Sequence, residues 1–132
     1  MILVDTSALY AVIDRADRNH RAAKPAWATL LGSDEPVLAT NYILVETTAL
    51  VQHRLGMEAV RLLHRDILPA LDLHWISEDE HKDAQNALLA AGRRHLSLVD
   101  CSSFHVMRSR RIHDVFAFDP HFREQGFSVL PD

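Results

Sequence analysis

The chain of 132 residues has one cysteine, four glycines, five prolines and only two lysines, Lys24 and Lys82. A lone Cys101 has no partner for an internal disulfide, which predicts a reducing compartment and points to the cytoplasm. Scarce glycine and proline exclude collagen-like repeats and low-complexity linkers. Long apolar runs are missing too: the longest uncharged stretches, such as residues 37–45, are far too short to cross a bilayer. The N-terminus reads MILVDTS, with no basic segment ahead of the apolar residues, so no secretory signal is expected. A formal net charge of −4 lacks the broad positive field of a cationic nucleic-acid binder.

What is present is ordinary globular material, 48% hydrophobic and 24% charged. That suffices for a single domain over residues 1–132 whose core needs no covalent staples. The average charge hides an asymmetry. Residues 92–113 carry five arginines (Arg93, Arg94, Arg108, Arg110, Arg111) against Asp100 alone, whereas residues 72–83 carry five acids against Lys82. A polyanion responds to local potential, so nucleic acid stays open as a partner.

Short apolar runs alternate with longer amphipathic segments. Runs at 2–4, 37–39, 73–76, 115–118 and 128–130 read as strands, and stretches near 7–14, 19–31, 41–55, 57–70, 77–91 and 98–111 read as helices. Gly32, Gly56, Gly92 and Gly126 each follow a helical pattern, where a left-handed cap is expected. Ser77 and Glu80 make a capping-box pattern. Pro25 is expected to start or kink the second helix, and Pro69 to limit the fourth. The alternation predicts an α/β fold with a central parallel sheet of about five short strands and helices on both faces, three layers in all. Ligands of such sheets bind at the carboxyl ends of the strands. Asp5 and Asp119 stand there, each directly after an apolar run.

Two further acids sit in apolar company. Glu46 is the only charged side chain in residues 43–51, and Asp100 the only one in 96–104. A carboxylate among apolar groups is costly unless it is paired or bound to a metal. Plainer roles exist for three of the four: Asp5 and Asp119 as N-caps, the latter with Pro120 at the first helical position, and Asp100 as a first-turn acid favoured by the helix dipole. Glu46 in mid-helix satisfies no cap. Taken together, the four read as one site. Converging carboxylates stay ionised only with a cation among them, and donors that are all oxygen suit Mg²⁺ or Mn²⁺. Such ions activate water and stabilise the attacking and leaving oxygens of phosphoryl chemistry.

The ordered set Asp5-Thr6-Ser7, Glu46 in a helix after the second strand, Ser97-Leu98-Val99-Asp100, and Phe118-Asp119-Pro120-His121-Phe122 followed by Gly126-Phe127 resembles the PIN-domain ribonucleases over the whole chain. Within them it is most similar to the VapC-type toxins of toxin–antitoxin pairs. The resemblance implies a three-layer PIN fold and a Mg²⁺- or Mn²⁺-dependent endoribonuclease with Asp5, Glu46, Asp100 and Asp119 as catalytic and metal-holding residues. It implies that Thr6 or Ser7 supplies a hydroxyl supporting the first aspartate. It also implies an RNA substrate, inhibition by a cognate antitoxin protein and a homodimer. Attack by metal-bound water, and not by the 2′-hydroxyl, should leave a 5′-phosphate and a 3′-hydroxyl.

Competing constellations are weaker. Cys101 and His105 share a helix face, as a nucleophile pair would, but no orienting or oxyanion group accompanies them, and a packed cysteine is the simpler reading. No two of the nine histidines are three or four residues apart, against a zinc site. His121, two residues past Asp119, is read as a turn residue in preference to a phosphate contact. Arg108, Arg110 and Arg111 lie about 12–15 Å along their helix from Asp100. They would either complement the helix dipole or contact RNA phosphates. A haloacid-dehalogenase-type phosphatase would want an acid where Ser7 stands, and a response-regulator receiver a lysine late in the sheet. A PIN-like module that binds RNA or protein without cleaving remains the non-enzymatic alternative, which the intact acids disfavour.

Overall fold

A computed structural model describes residues 1–132. Along the chain run β1 (Ile2–Val4), α1 (Thr6–Ile13), α2 (His20–Leu31), β2 (Val37–Thr40), α3 (Asn41–Leu55), α4 (Met57–Leu62), β3 (Asp72–His74), α5 (Glu78–Ala91), α6 (Leu98–Ser109), β4 (Asp114–Phe116), α7 (Pro120–Glu124) and β5 (Ser128–Leu130). The five strands form one parallel sheet in the order β3-β2-β1-β4-β5. Right-handed crossovers then put α1–α4 on one face and α5–α7 on the other, giving the three layers expected. β1 is buried on both sides, as an interior parallel strand should be. Leu3, Val4, Leu38, Val115 and Phe116 are sealed by Leu9, Ile43, Val51, Val106, Met107 and Phe122 from the helices. No helix is long and apolar enough to cross a membrane.

Several boundaries differ from the sequence reading. The third strand is Asp72–His74 and not 73–76, and the fourth is Asp114–Phe116 and not 115–118. Asp119 therefore stands three residues beyond its strand, where it caps the short helix α7 with Pro120 at the first helical position, as its N-cap reading has it. The stretch 57–70 is not one helix: α4 passes into a π-helical turn, Leu63–Ile67, and a 3-10 turn, Leu68–Ala70, that accommodates Pro69. Pro25 lies inside α2, five residues past its first residue, and does not mark the start. Gly32 keeps a right-handed φ of −82°, so it is not the left-handed cap expected, whereas Gly92 at 60° is. The α6 end takes a left-handed residue that is not glycine. Arg111 has φ 57° and Ile112 N–H donates to the Met107 carbonyl at 2.8 Å, the bond pattern of a Schellman cap.

Candidate functional site

Local chemistry puts an acid at the starts of α1, α6 and α7, near the carboxyl edge of the sheet. Asp5 leaves β1 and caps α1, and its own N–H donates to the Phe116 carbonyl at 3.0 Å, tying it to the neighbouring β4. Asp100 is the third residue of α6 in a reciprocal capping box: its N–H donates to Ser97 Oγ and its Oδ2 accepts from Ser97 N–H, both at 3.0 Å. Asp119 caps α7, accepting the His121 N–H at 2.9 Å. Glu46 lies in the second turn of α3 and caps nothing. All four acids line one cleft of about 340 Å³, together with Thr6, Ser7, Leu50 and Ser97. No lysine or arginine lines it.

Each aspartate has one oxygen anchored and one left over. Asp5 Oδ2 accepts both the Ser7 N–H at 3.1 Å and the Ser7 hydroxyl at 2.6 Å. That hydroxyl in turn accepts the Phe118 N–H at 2.9 Å, bracing Asp5 against the segment after β4. Asp100 Oδ2 and Asp119 Oδ1 take the backbone N–H groups named above. No protein donor reaches the remaining oxygens, Oδ1 of Asp5 and Asp100 and Oδ2 of Asp119. Ser7, and not Thr6, holds Asp5. The Thr6 hydroxyl turns to α3, where it accepts from Thr47 at 2.9 Å and faces the Ile43 carbonyl at 3.5 Å.

Burial governs the electrostatics. Desolvation pushes the Asp5 carboxyl up to about 7, against the Ser7 hydrogen bonds, with repulsion from Asp100 and Asp119 adding to the rise. Glu46 is raised by desolvation, opposed by Thr6 and assisted by the charges of Asp100 and Asp119. Asp100 is raised by desolvation first and by Asp119 next, partly offset by Ser97 and His121. Three carboxyls held above their ordinary range mark a place short of positive charge. A bound cation would supply it.

The match to a family model decides what this architecture is: residues 2–128 fit the PIN domain. The chain belongs to the PIN-domain family. Over its full length this PIN domain is 35% identical to the full length of a 23S rRNA-specific endonuclease, VapC20, of Mycobacterium tuberculosis. The crystal structure of that protein, described as a sarcin–ricin-loop-cleaving toxin, superposes with a TM-score of 0.84 at 31% identity over 96% of each chain. FitAcB from Neisseria gonorrhoeae shares the fold with a TM-score of 0.70 at 16% identity, covering 98% of this chain and 96% of that one.

The PIN domain also brings His121, which the sequence reads as a turn residue, up to the acids. His121 Nδ1 lies 2.8 Å from Asp119 Oδ1 and 3.8 Å from Asp100 Oδ2. The signal was a histidine one step into a helix capped by a candidate acid. Cys101 and His105 do not pair. They line a separate cleft of about 550 Å³ between α5 and α6, where His105 approaches Asp83 at 3.8 Å. Burial and the adjacent Asp100 hold the Cys101 thiol above its usual range, the opposite of an activated thiolate. Of the arginines, Arg108 lies over the rings of Phe127 and Phe104 and donates to Gln125 Oε1 at 2.6 Å. Arg110 approaches His74 at 3.3 Å, and Arg111 makes the turn that ends α6.

Proposed function

We propose that this PIN domain is a divalent-metal-dependent endoribonuclease, the toxin of a toxin–antitoxin pair, and that Asp5, Glu46, Asp100 and Asp119 hold its Mg²⁺ or Mn²⁺. The observation that carries this reading is the division within each aspartate. One oxygen is pinned by an N–H or O–H group while the other stays unclaimed, in a buried acidic cleft without a basic side chain. That donor set fits a hard divalent ion. Held there, the ion would supply the charge that activates a water and stabilises the leaving oxygen of a phosphodiester.

The protein's own groups do the positioning. Ser7 and Ser97 fix the planes of Asp5 and Asp100, so the free oxygens keep their direction without ligand. The starts of α1 and α6 face the same cleft, and their dipoles favour the negative charge of carboxylates and of an incoming phosphate. Identity of 35% with a 23S rRNA-specific endonuclease supports ribosomal RNA as the first substrate to test. The residue pattern shared with VapC-type toxins supports a cognate antitoxin and a dimer of this chain.

The test is cleavage of intact ribosomes and of naked RNA, with end mapping, in Mg²⁺, in Mn²⁺ and in excess EDTA. Cleavage that needs the ion, leaves 5′-phosphate ends and disappears in Asp100→Asn is the expected result. Robust cleavage in EDTA, or products ending in a 2′,3′-cyclic phosphate, would overturn it.

A further inference from the structure

We propose that His121 is itself a ligand of the cation, through Nδ1, beside Asp100 and Asp119; this rests on the metal reading above and changes its donor set. One donor atom from each of the three residues lies within 4.8 Å of the other two. Donors about 2.1 Å from one ion stand about 3.0 Å apart when adjacent in an octahedron. Nδ1 stands 2.8 Å from Asp119 Oδ1 and 3.8 Å from Asp100 Oδ2; both oxygens already accept a backbone N–H, and each keeps a lone pair for a cation held beside Nδ1.

The nitrogen is also orphaned. His121 Nδ1 is shut off from solvent and makes no hydrogen bond, because its contact with Asp119 lacks the alignment one requires. Only one other buried side-chain polar atom, Ser103 Oγ, is in that condition. A buried polar atom without a partner is costly, and a cation shared with Asp100 and Asp119 removes the deficit. The ring is not free to leave. The His121 N–H is held by Asp119, and the next residue, Phe122, is fully buried with its ring 5.1 Å from that of Phe104. His121 does not line the open cleft but backs onto two acids that do.

An imidazole donor alters ion preference. Mg²⁺ takes oxygen ligands almost exclusively, whereas Mn²⁺ and later divalent ions accept imidazole nitrogen as well. The site should therefore favour Mn²⁺ over Mg²⁺ by more than four carboxylates alone would give.

The experiment is Mn²⁺ titration of the full-length protein, followed by pulsed electron paramagnetic resonance on protein labelled with ¹⁵N-histidine. The expected result is a directly bound imidazole nitrogen in the wild-type spectrum. It should be lost in His121→Asn, with Mn²⁺ affinity falling by about 10-fold or more and Mg²⁺ affinity changing far less. Bound Mn²⁺ with no nitrogen coupling would overturn the His121 assignment and leave the four-carboxylate reading standing. No Mn²⁺ binding to the wild type at all would overturn both.

Discussion

The Ser7 hydroxyl holds the Asp5 carboxylate across 2.6 Å while accepting the Phe118 N–H at 2.9 Å. One serine thus joins the end of β1 to the segment that carries Asp119, and it is the main group opposing the rise of Asp5 toward neutrality.

Ser7→Ala should leave Asp5 still buried but with fewer donors, so its pKa moves above 7. A carbon-detected NMR titration of the Asp5 carboxyl in metal-free protein checks this. Weaker Mn²⁺ binding, by about 10-fold, should accompany it, since the free oxygen loses its orientation. An unchanged or lowered Asp5 pKa would mean that the serine contact does not stabilise the ionised form.

Asp5→Asn should stabilise the metal-free protein at alkaline pH and not at acid pH. The folded carboxyl titrates near 7 and the unfolded one near its ordinary 3.8, so the native state binds the proton more tightly. Its destabilising contribution is absent below about pH 4, grows between 4 and 7, and levels off at roughly 4 kcal/mol above that. Asparagine keeps the α1 cap, which makes the substitution clean. Melting curves at pH 4 and pH 8 with EDTA decide it: equal gains at both would remove Asp5 ionisation as the cause.

Glu46→Gln should act in the same direction with a smaller effect, because Glu46 is only half-buried. It should also cut the thermal gain from added Mn²⁺ and abolish RNA cleavage. A variant that melts lower in EDTA and gains as much from Mn²⁺ as wild type would make Glu46 a structural residue.

Cys101→Ala and His105→Ala should retain most cleavage, whereas Asp100→Asn loses it. Cys101 is packed between α5 and α6, so its loss should cost stability alone, about 1 kcal/mol. Rates on a fluorescent RNA separate the two classes, and the reverse ranking would restore the Cys–His pair.

Arg108, Arg110 and Arg111 should separate by role, which a triple alanine variant would blur. Arg108→Ala should lower stability by about 1 kcal/mol through loss of its contacts with Phe104, Phe127 and Gln125. Arg111→Gly should raise stability by about 1 kcal/mol, since only glycine adopts φ 57° without cost. If Arg110 and Arg111 also meet RNA phosphates, each loss should flatten the log–log salt dependence of binding by about one unit. An unchanged slope in Arg110→Ala with Arg111→Gly confines the pair to the helix end.

The alternation of short apolar runs and amphipathic helices, the parallel sheet, the capping box at Ser77 and the four acids were legible in the chain by itself. Apolar periodicity and cap chemistry act over a few neighbouring residues, and an acid after an apolar run declares itself without tertiary information. Tertiary structure decided matters that depend on elements far apart in sequence. Phe118 reaches Ser7 across 111 residues, so only the folded chain shows that the serine holding Asp5 is also braced against the segment that carries Asp119. The same holds for Arg108, pinned by Phe127 and Gln125 from beyond β4, and for the approach of His121 to Asp100. Local patterns determine which residues cap and which bury. Which carboxylate oxygen stays free, and which imidazole nitrogen stands beside the acids, follows from the packing of α6 and α7 against the sheet, a long-range balance that no short window of sequence contains.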